Sequence, residues 1–563
     1  MAGLIRDQLA ALIRDAIRDA QGAGDLPAFD VPRIEITRPK IAAHGDYSTS
    51  AALALAKAAG VAPPRIAQHI VDHLPIHPAV GKVEIAMPGY VNFTLSEAWL
   101  AQQTRAILDG GPDWANLDVG QGKRVQVEHG SANPTGPLHF GTARNFVVGD
   151  TIANILEAAA YEVQREYYVN DAGSQVRKFG ESIYARYAQA LGRDAPFPED
   201  GYKGEYIADA AQEIIREHGD RFLRMEPAEA IRALGQIGLD AMVEGARRTL
   251  DRIHIRYDRW FHERSLYDSG LFERVIAQLW SRDLLYEQDD ATWFKVTAFG
   301  GEKDAVIIRS AEVIPDPRER PTYFGSDIAY VHDKFIDRGF DRVIYVLGAD
   351  HHGDVPRMQA IGRAFGIAPE RLIVVLYQLV TLTRGGEEVR QSKRKGEFIS
   401  LDEVVDEIGS DAIRFMLLTR SIDSKITLDL ELAKEQSDKN PVYYVQYAHA
   451  RIASILRKAA DAGAPDAGGD PQLLKHPSEL ALIRKMLELP VVIEQAARDL
   501  APHHLTHYAQ DLASAFSAFY RDCRVVDTSA PDLTSARLML SRAVKLTLSR
   551  VLGLMGMSAP DAM

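Results

Sequence analysis

Two tracts bring together residue types that can handle phosphate chemistry. The first is Asn133-Pro-Thr-Gly-Pro-Leu-His-Phe-Gly-Thr-Ala-Arg144, in which a histidine and several small residues fall where a strand gives way to a helix. The first backbone N–H groups of a helix have no intrahelical partner and the helix dipole is positive there, so such a junction accepts an anion. Ligands of open parallel sheets also sit beyond the carboxyl ends of the strands, where this loop falls. The second tract, Val389-Arg-Gln-Ser-Lys-Arg-Lys-Gly396, crowds cations into a loop. A lysine that arrives as negative charge builds on a leaving phosphate lowers the barrier to its departure, and Lys393 is the candidate. In isolation, His139-x-Gly141 marks a structural turn and the basic run a solvated one; their combination in one chain carries the reading further.

These tracts must be held by a scaffold, and the hydrophobic pattern supplies one. Arg124 to Glu128 reads as a strand, Gly130 to Pro137 as a loop, Gly141 to about Ala160 as a helix and Glu162 to Val169 as a returning strand, which together make a βαβ unit. A second α/β half follows with a strand Val343 to Leu347, a helix after Pro356 and an apolar strand Leu372 to Leu376. The expected fold is therefore multi-domain α/β, with a Rossmann-type parallel-sheet catalytic domain over residues 116–433. Its two halves are separated by a mostly helical insertion at about 173–321, with strand-like stretches at Trp293 to Val296 and Ala305 to Ile308.

An N-terminal α+β domain is expected over 1–115. It opens on an amphipathic helix, Met1 to Asp19, continues with the alanine-rich helix Ala51 to Ala59, and turns at Pro88-Gly89 between strands Val83 to Met87 and Tyr90 to Thr94. From Lys434 to 563 helical periodicity dominates, broken by the loop Ala462 to Pro471, so an all-helical C-terminal domain is expected over 434–563.

The 563 residues are too many for one core, which agrees with several domains. A single cysteine, Cys523, excludes an intrachain disulfide and a cysteine-based zinc cluster and fits a reducing cytoplasm. No apolar run is long enough to span a bilayer. The formal charge of −13 argues against unspecific polyanion binding, yet leaves room for a local basic surface that holds a nucleic acid.

The first tract resembles the HIGH signature of Rossmann-class aminoacyl-tRNA synthetases. With Glu128, the Asn-Pro-Thr-Gly-Pro-Leu run and Tyr168-Val-Asn-Asp-Ala-Gly173, it resembles the arginyl-tRNA synthetase family specifically, and the basic tract resembles that class's KMSKR loop. The resemblance departs at Thr142, where the motif has its second histidine, and at Arg390 and Gln391, which stand for lysine and methionine. Thr142 keeps a hydrogen-bond donor and Arg390 keeps a charge.

What the resemblance implies is an arginine–tRNA ligase that joins L-arginine to ATP as arginyl-adenylate and passes it to the 3′ end of tRNA(Arg), with activation requiring bound tRNA. His139, Lys393 and Arg390 would be catalytic. ATP would be held by His139, Gly141, Thr142, Gly348, Asp350, Ser392, Lys393 and Arg394, with Mg2+ bridging its phosphates. A guanidinium never loses its charge near neutral pH and carries five donors, so burying it demands carboxylates. Glu128 and Asp327 match the family's acidic contacts and Tyr323 its tyrosine. Asn133 would hold the α-amino or carboxylate group. Within Gly348-Ala-Asp-His-His-Gly353, Asp350 or His351 would line the ribose or the amino-acid pocket, His351 being assigned to arginine. The paired histidines lack a third ligand at a usual spacing, so no dedicated metal site is expected.

Aromatic and basic residues mingle in Asn440-Pro-Val-Tyr-Tyr-Val-Gln-Tyr-Ala-His-Ala-Arg451 and Ala518-Phe-Tyr-Arg-Asp-Cys-Arg-Val525, and unstacked loop nucleotides are read on such surfaces. Tyr443, Tyr447 and Tyr520 are the candidates for tRNA. Both tracts resemble the family's anticodon-binding domain, and the N-terminal unit with Gly45-Asp-Tyr-Ser-Thr49 resembles its additional domain, which reaches the tRNA D-loop. A cytoplasmic monomer is implied. The competing readings are a synthetase for another amino acid, a small-molecule nucleotidyltransferase, and a tRNA-binding protein without catalysis.

Overall fold

The computed structural model describes residues 4–314, 316, 319–389, 399–464 and 468–563. The N-terminal unit comprises α1 (Ile5–Gly22), β1 (Tyr47–Thr49), α2 (Ala51–Ala59), α3 (Pro63–Asp72), β2 (Val80–Ala86), β3 (Tyr90–Leu95) and α4 (Glu97–Gly110). Its strands form an antiparallel sheet in the order β1-β3-β2. β2 starts three residues ahead of the expected Val83, because Val80 already pairs with Leu95 across an irregularity at Gly81 that breaks the alternation seen in the sequence. On α1, Leu9, Ile13, Ala16, Ile17 and Ala20 make the helical stripe that the core covers.

The central α/β region follows with β4 (Arg124–Glu128), α5 (Ala143–Ala158), β5 (Glu162–Val169), α6 (Ser174–Ala190), α7 (Glu205–His218), α8 (Pro227–Arg252), β6 (Arg259–His262), α9 (Arg264–Asp268), α10 (Leu271–Ser281), β7 (Leu285–Gln288), β8 (Ala291–Phe294), β9 (Ala305–Ile308), α11 (Tyr323–His332), β10 (Arg342–Gly348), α12 (Val355–Ala364) and β11 (Leu372–Tyr377). The sheet order is β11-β10-β4-β5-β6, and every neighbouring pair is parallel. β4 and β10 adjoin at the centre, where the two halves meet and where doubly wound sheets open a ligand crevice.

The expected helix from Gly141 begins two residues later. Phe140–Thr142 forms a tight 3-10 turn, pinned by the Thr142 hydroxyl donating to the His139 carbonyl at 2.8 Å. Within the stretch 173–321, α6, α7 and α8 enclose a small core of their own, and β6 then returns to pair with β5 as the fifth strand of the parallel sheet. Beyond it β7, β8 and β9 make a separate antiparallel sheet. The strand expected at Trp293 to Val296 lies at Ala291–Phe294, because Asp289 and Asp290, at φ 53° and 54°, form a two-residue hairpin turn and Val296 already opens a 3-10 turn.

β12 (Val380–Arg384) and β13 (Glu387–Glu388) form a hairpin ahead of the basic tract, and α13 (Leu401–Ile408), α14 (Ser410–Leu417), β14 (Ile426–Asp429) and α15 (Leu430–Lys434) follow it. The C-terminal bundle is α16 (Pro441–Asp461), α17 (Pro477–Met486), α18 (Leu489–Asp499), α19 (His503–Asp522) and α20 (Pro531–Leu554), with Cys523 buried at the end of α19. One continuous core runs from the N-terminal unit through one face of the sheet into this bundle, and a second packs α10, α11 and α12 on the other face. Ion pairs Arg6–Glu494, Arg38–Glu488 and Asp46–Arg484, the last at 2.7 Å, fasten the N-terminal unit to α17 and α18. Among the described residues no helix is long and apolar enough to cross a membrane.

Candidate active site

At the carboxyl end of the central strand β4 stands Glu128, buried, with its Oε2 accepting from the ammonium of Lys334. Lys334 sits in a π turn, Asp333–Asp337, that widens the end of α11, and none of it reaches solvent. Its Nζ lies 3.9 Å from the ring centre of Tyr330 and 4.0 Å from that of Tyr345, so two π faces and one carboxylate solvate the charge that water cannot. Burial pushes the Glu128 carboxyl up, and Lys334 pulls it back only in part. On the next strand Glu166 is buried as well; Arg338, donating at 2.6 and 3.1 Å, and Lys334 outweigh its burial and hold it below the ordinary range.

Two further carboxyls face this region. Asp327 on α11 is pushed up to about 8 by burial, then by the charges of Glu128, Glu263 and Asp354. Glu263, immediately after β6, is pushed up to about 7 by burial, against the pull of the Ser326 and Tyr168 hydroxyls; its Oε1 accepts from Ser326 at 2.6 Å, while Oε2 is buried with no hydrogen bond of normal geometry from the described residues. Glu128 and Glu263 thus both act on Asp327, and the cation that acts with them, Lys334, is already committed to Glu128. Carboxyls in excess of cations, two of them raised by burial, can take a further cationic group. Tyr323, one helical turn before Asp327, is 53% exposed.

His139 lies in extended backbone ahead of α5, and a Cβ on Gly141 would come within 2.9 Å of its ring, so glycine is what lets the imidazole fold over the helix start. Strand-like pairing ties this segment to residues just past the basic tract: Phe140 N donates to Ile399 O at 3.0 Å and Leu401 N to Leu138 O at 2.8 Å, with His139 opposite Ser400. Ser400 in turn caps α13 in a reciprocal capping box with Glu403. Arg390, Ser392, Lys393 and Arg394 lie outside the described residues, as does Gln391.

Asn133 is exposed and its Oδ1 accepts from Asn170 Nδ2 at 3.4 Å, which joins the loop to the end of β5. Gly348 closes β10, where a Cβ would fall 2.3 Å from Asp350 Oδ1; Asp350 and His351 are exposed, with His351 Nδ1 3.0 Å from Asp354. Tyr443, Tyr447 and Tyr520 form a different cluster on the C-terminal bundle. The first two rings stack at 5.7 Å, and the Arg451 guanidinium lies 5.8 Å from the ring of Tyr447 and 4.6 Å from that of Tyr520.

Sequence reasoning missed Glu263, Lys334 and Arg144. Arg144, on the first turn of α5, is fully buried and donates to the carbonyls of Gln378, Ser421 and Ser424 at 2.7–2.8 Å, fastening the helix start to two crossing loops. Its presence in the first tract was visible, but nothing in the spacing marks it as a clamp.

Three family models cover nearly the whole chain: an arginyl tRNA synthetase N terminal domain at residues 7–95, a class I (R) tRNA synthetase catalytic domain at 107–436 and a DALR anticodon binding domain at 445–563. An arginine–tRNA ligase from Dehalococcoides mccartyi strain CBDB1 is 48% identical over 559 residues, 99% of each chain. The chain belongs to the arginyl-tRNA synthetase family. Its activity is that of an arginine–tRNA ligase, with arginine and tRNA as substrates. Another arginine–tRNA ligase of the family, from Heliobacterium modesticaldum, is 44% identical over 566 residues and 99% of each chain. The fold matches that of Thermus thermophilus arginyl-tRNA synthetase with a TM-score of 0.73 at 24% identity over the full length of both chains.

Proposed function

We propose that the carboxyl cluster where β4, β6 and α11 meet forms a recess that binds the side chain of L-arginine and that the adjoining His139 tract binds ATP. The observation that carries this is the convergence of Glu128 and Glu263 on the buried Asp327, with one internal ammonium, Lys334, that Glu128 already holds. A guanidinium entering there ionises Asp327 and Glu263 and satisfies Glu263 Oε2, whereas a neutral side chain leaves buried acceptors unpaired, a strong ground for rejection. Tyr323 covers the entrance, and Asn133 holds the α-amino or carboxylate group.

ATP lies over the start of α5, and Mg2+, when bound with it, would offset the charge of its phosphates. His139, Gly141 and Thr142 meet its phosphates at the helix N-terminus, Gly348 and Asp350 its ribose, and Ser392, Lys393, Arg394 and Arg390 its leaving pyrophosphate; His351 lines the amino-acid side. An oxygen of the arginine carboxylate bonds to the α-phosphorus as the bond to pyrophosphate breaks. A terminal ribose hydroxyl of tRNA then attacks the activated carbonyl, loses its proton, and AMP leaves. Positioning and charge stabilisation suffice, with no covalent nucleophile from the protein. Residues 1–115 serve the D-loop, 116–433 catalysis, and 434–563, through Tyr443, Tyr447 and Tyr520, the anticodon; the synthetase works as a cytoplasmic monomer.

The test is charging of labelled arginine onto total tRNA with ATP and magnesium, beside the other amino acids and beside Lys393→Ala and Asp327→Ala. Arginine-only charging that falls by about a hundredfold or more in either variant is expected. Unimpaired charging by Asp327→Ala would remove the recess from the arginine site, and unimpaired charging by Lys393→Ala would remove the basic tract from the chemistry.

A further inference from the structure

We propose that Lys334 is a positioning residue for arginine recognition: by gripping one oxygen of Glu128, it fixes the orientation and charge of the carboxylate that meets the substrate. The proposal rests on the arginine-site reading of Glu128 given above.

The geometry is that of a cation the protein supplies to itself. Lys334 has no solvent, its chain of methylenes ends between the rings of Tyr330 and Tyr345, and its ammonium reaches Glu128 Oε2. The neighbouring carboxylate, Glu166, is served separately by Arg338 and by the Tyr330 hydroxyl, so the direct contact of Lys334 is with Glu128. With Oε2 engaged, a ligand meets Oε1, and the carboxylate plane cannot rotate without breaking a buried ion pair. Tyr330 belongs to α11, the helix that also carries Asp327 and leads into the turn of Lys334, while Tyr345 pairs directly with Glu128 across β10 and β4. The lysine therefore locks the position of one acidic contact to the helix that carries another.

Without the ammonium, Glu128 would be a buried carboxylate near Glu166 and Asp327 with no fixed cation, and it would take up a proton or turn away. In either state it offers arginine a weaker acceptor. The loss falls on substrate affinity, because the phosphates reacting at the His139 tract do not touch Lys334.

The experiment is a double-mutant cycle read as KM for arginine and kcat in tRNA charging, using the full-length enzyme, Lys334→Met, Lys334→Arg, Glu128→Gln and the Glu128→Gln/Lys334→Met pair. Lys334→Met alone should raise the arginine KM on the order of thirtyfold with kcat changed far less, and Lys334→Arg should recover most of the loss. In the Glu128→Gln background the same lysine substitution should cost little, because its target is already gone. The double variant removes both charges and leaves no buried ion unpaired, so it keeps the cycle readable even if Lys334→Met folds poorly. An equal KM penalty in both backgrounds, or a loss confined to kcat, would overturn the proposal. An unchanged KM in Glu128→Gln would instead overturn the arginine-site reading on which it rests.

Discussion

Asp327 and Glu263 retain protons where ordinary carboxyls have lost them, because burial opposes ionisation of both, helped at Asp327 by the charges of Glu128, Glu263 and Asp354 and at Glu263 by that of Asp171. On the proposed arginine-site reading, substrate binding needs them charged, so the KM for arginine should fall as pH rises through about 7 and about 8, a trend to be measured by charging kinetics between pH 6 and 8.5. Stability has the opposite sign. The folded chain binds protons that the unfolded chain has released, so the contribution of these two groups is fully present below their ordinary values of 3.8 and 4.5 and is lost as pH rises through the raised ones. Thermal unfolding of the free synthetase should therefore move to lower temperature from pH 6 to 8.5, Asp327→Asn should flatten that slope, and saturating arginine should restore the stability of the parent. A Tm of the free parent that rises over that range would contradict the assignment. Of the groups involved, Glu128 and Asp327 could be read in the sequence because they stand in recognisable tracts. Glu263 and Lys334 could not: one follows a four-residue strand, Arg-Trp-Phe-His, too short to show alternation, and the other owes its meaning to two rings and a carboxylate that only the fold brings beside it.

The parallel strands were the most readable elements, since continuous apolar runs such as that within Arg342–Gly348 mark strands buried on both faces. β6 escaped because a long helical excursion separates it from β5, its neighbour in the sheet. The start of α5 was displaced because the tight turn at Phe140–Thr142 is set by one side-chain hydrogen bond and by the return of Ile399–Leu401 to the same backbone, a contact across more than 250 residues. That return means the segment flanking the basic tract and the His139 segment share one ladder, so a disturbance of either shifts the other. Arg144 is the element-level clamp on the opposite side. Arg144→Met leaves the carbonyls of Gln378, Ser421 and Ser424 without their donor, and at about 1 kcal/mol or more for each abandoned acceptor the loss should reach about 3 kcal/mol in denaturant unfolding. A loss below about 1 kcal/mol would mean that water replaces the guanidinium there.

Across the whole molecule, the N-terminal unit, the sheet and the C-terminal helices share one core, stitched further by Asp150–Arg414, whose guanidinium also donates to Ile253 O at 2.8 Å and to Met555 O. Composition indicated several domains, and the helical ending could be read from periodicity; how closely they interlock could not, because residues such as Asp46 and Arg484 are ordinary surface charges until the fold opposes them at 2.7 Å. The sole thiol lies inside this assembly. Cys523 is 3% exposed at the end of α19, and burial raises its pKa, so both access and thiolate formation are suppressed. A soluble disulfide reagent should accordingly modify the folded chain slowly and the unfolded chain at once, with rates set by how often the bundle opens. Bound tRNA, if it braces the bundle, should slow that clock further, which gives the molecule an internal reporter of occupancy that requires no dye, no tag and no engineered residue.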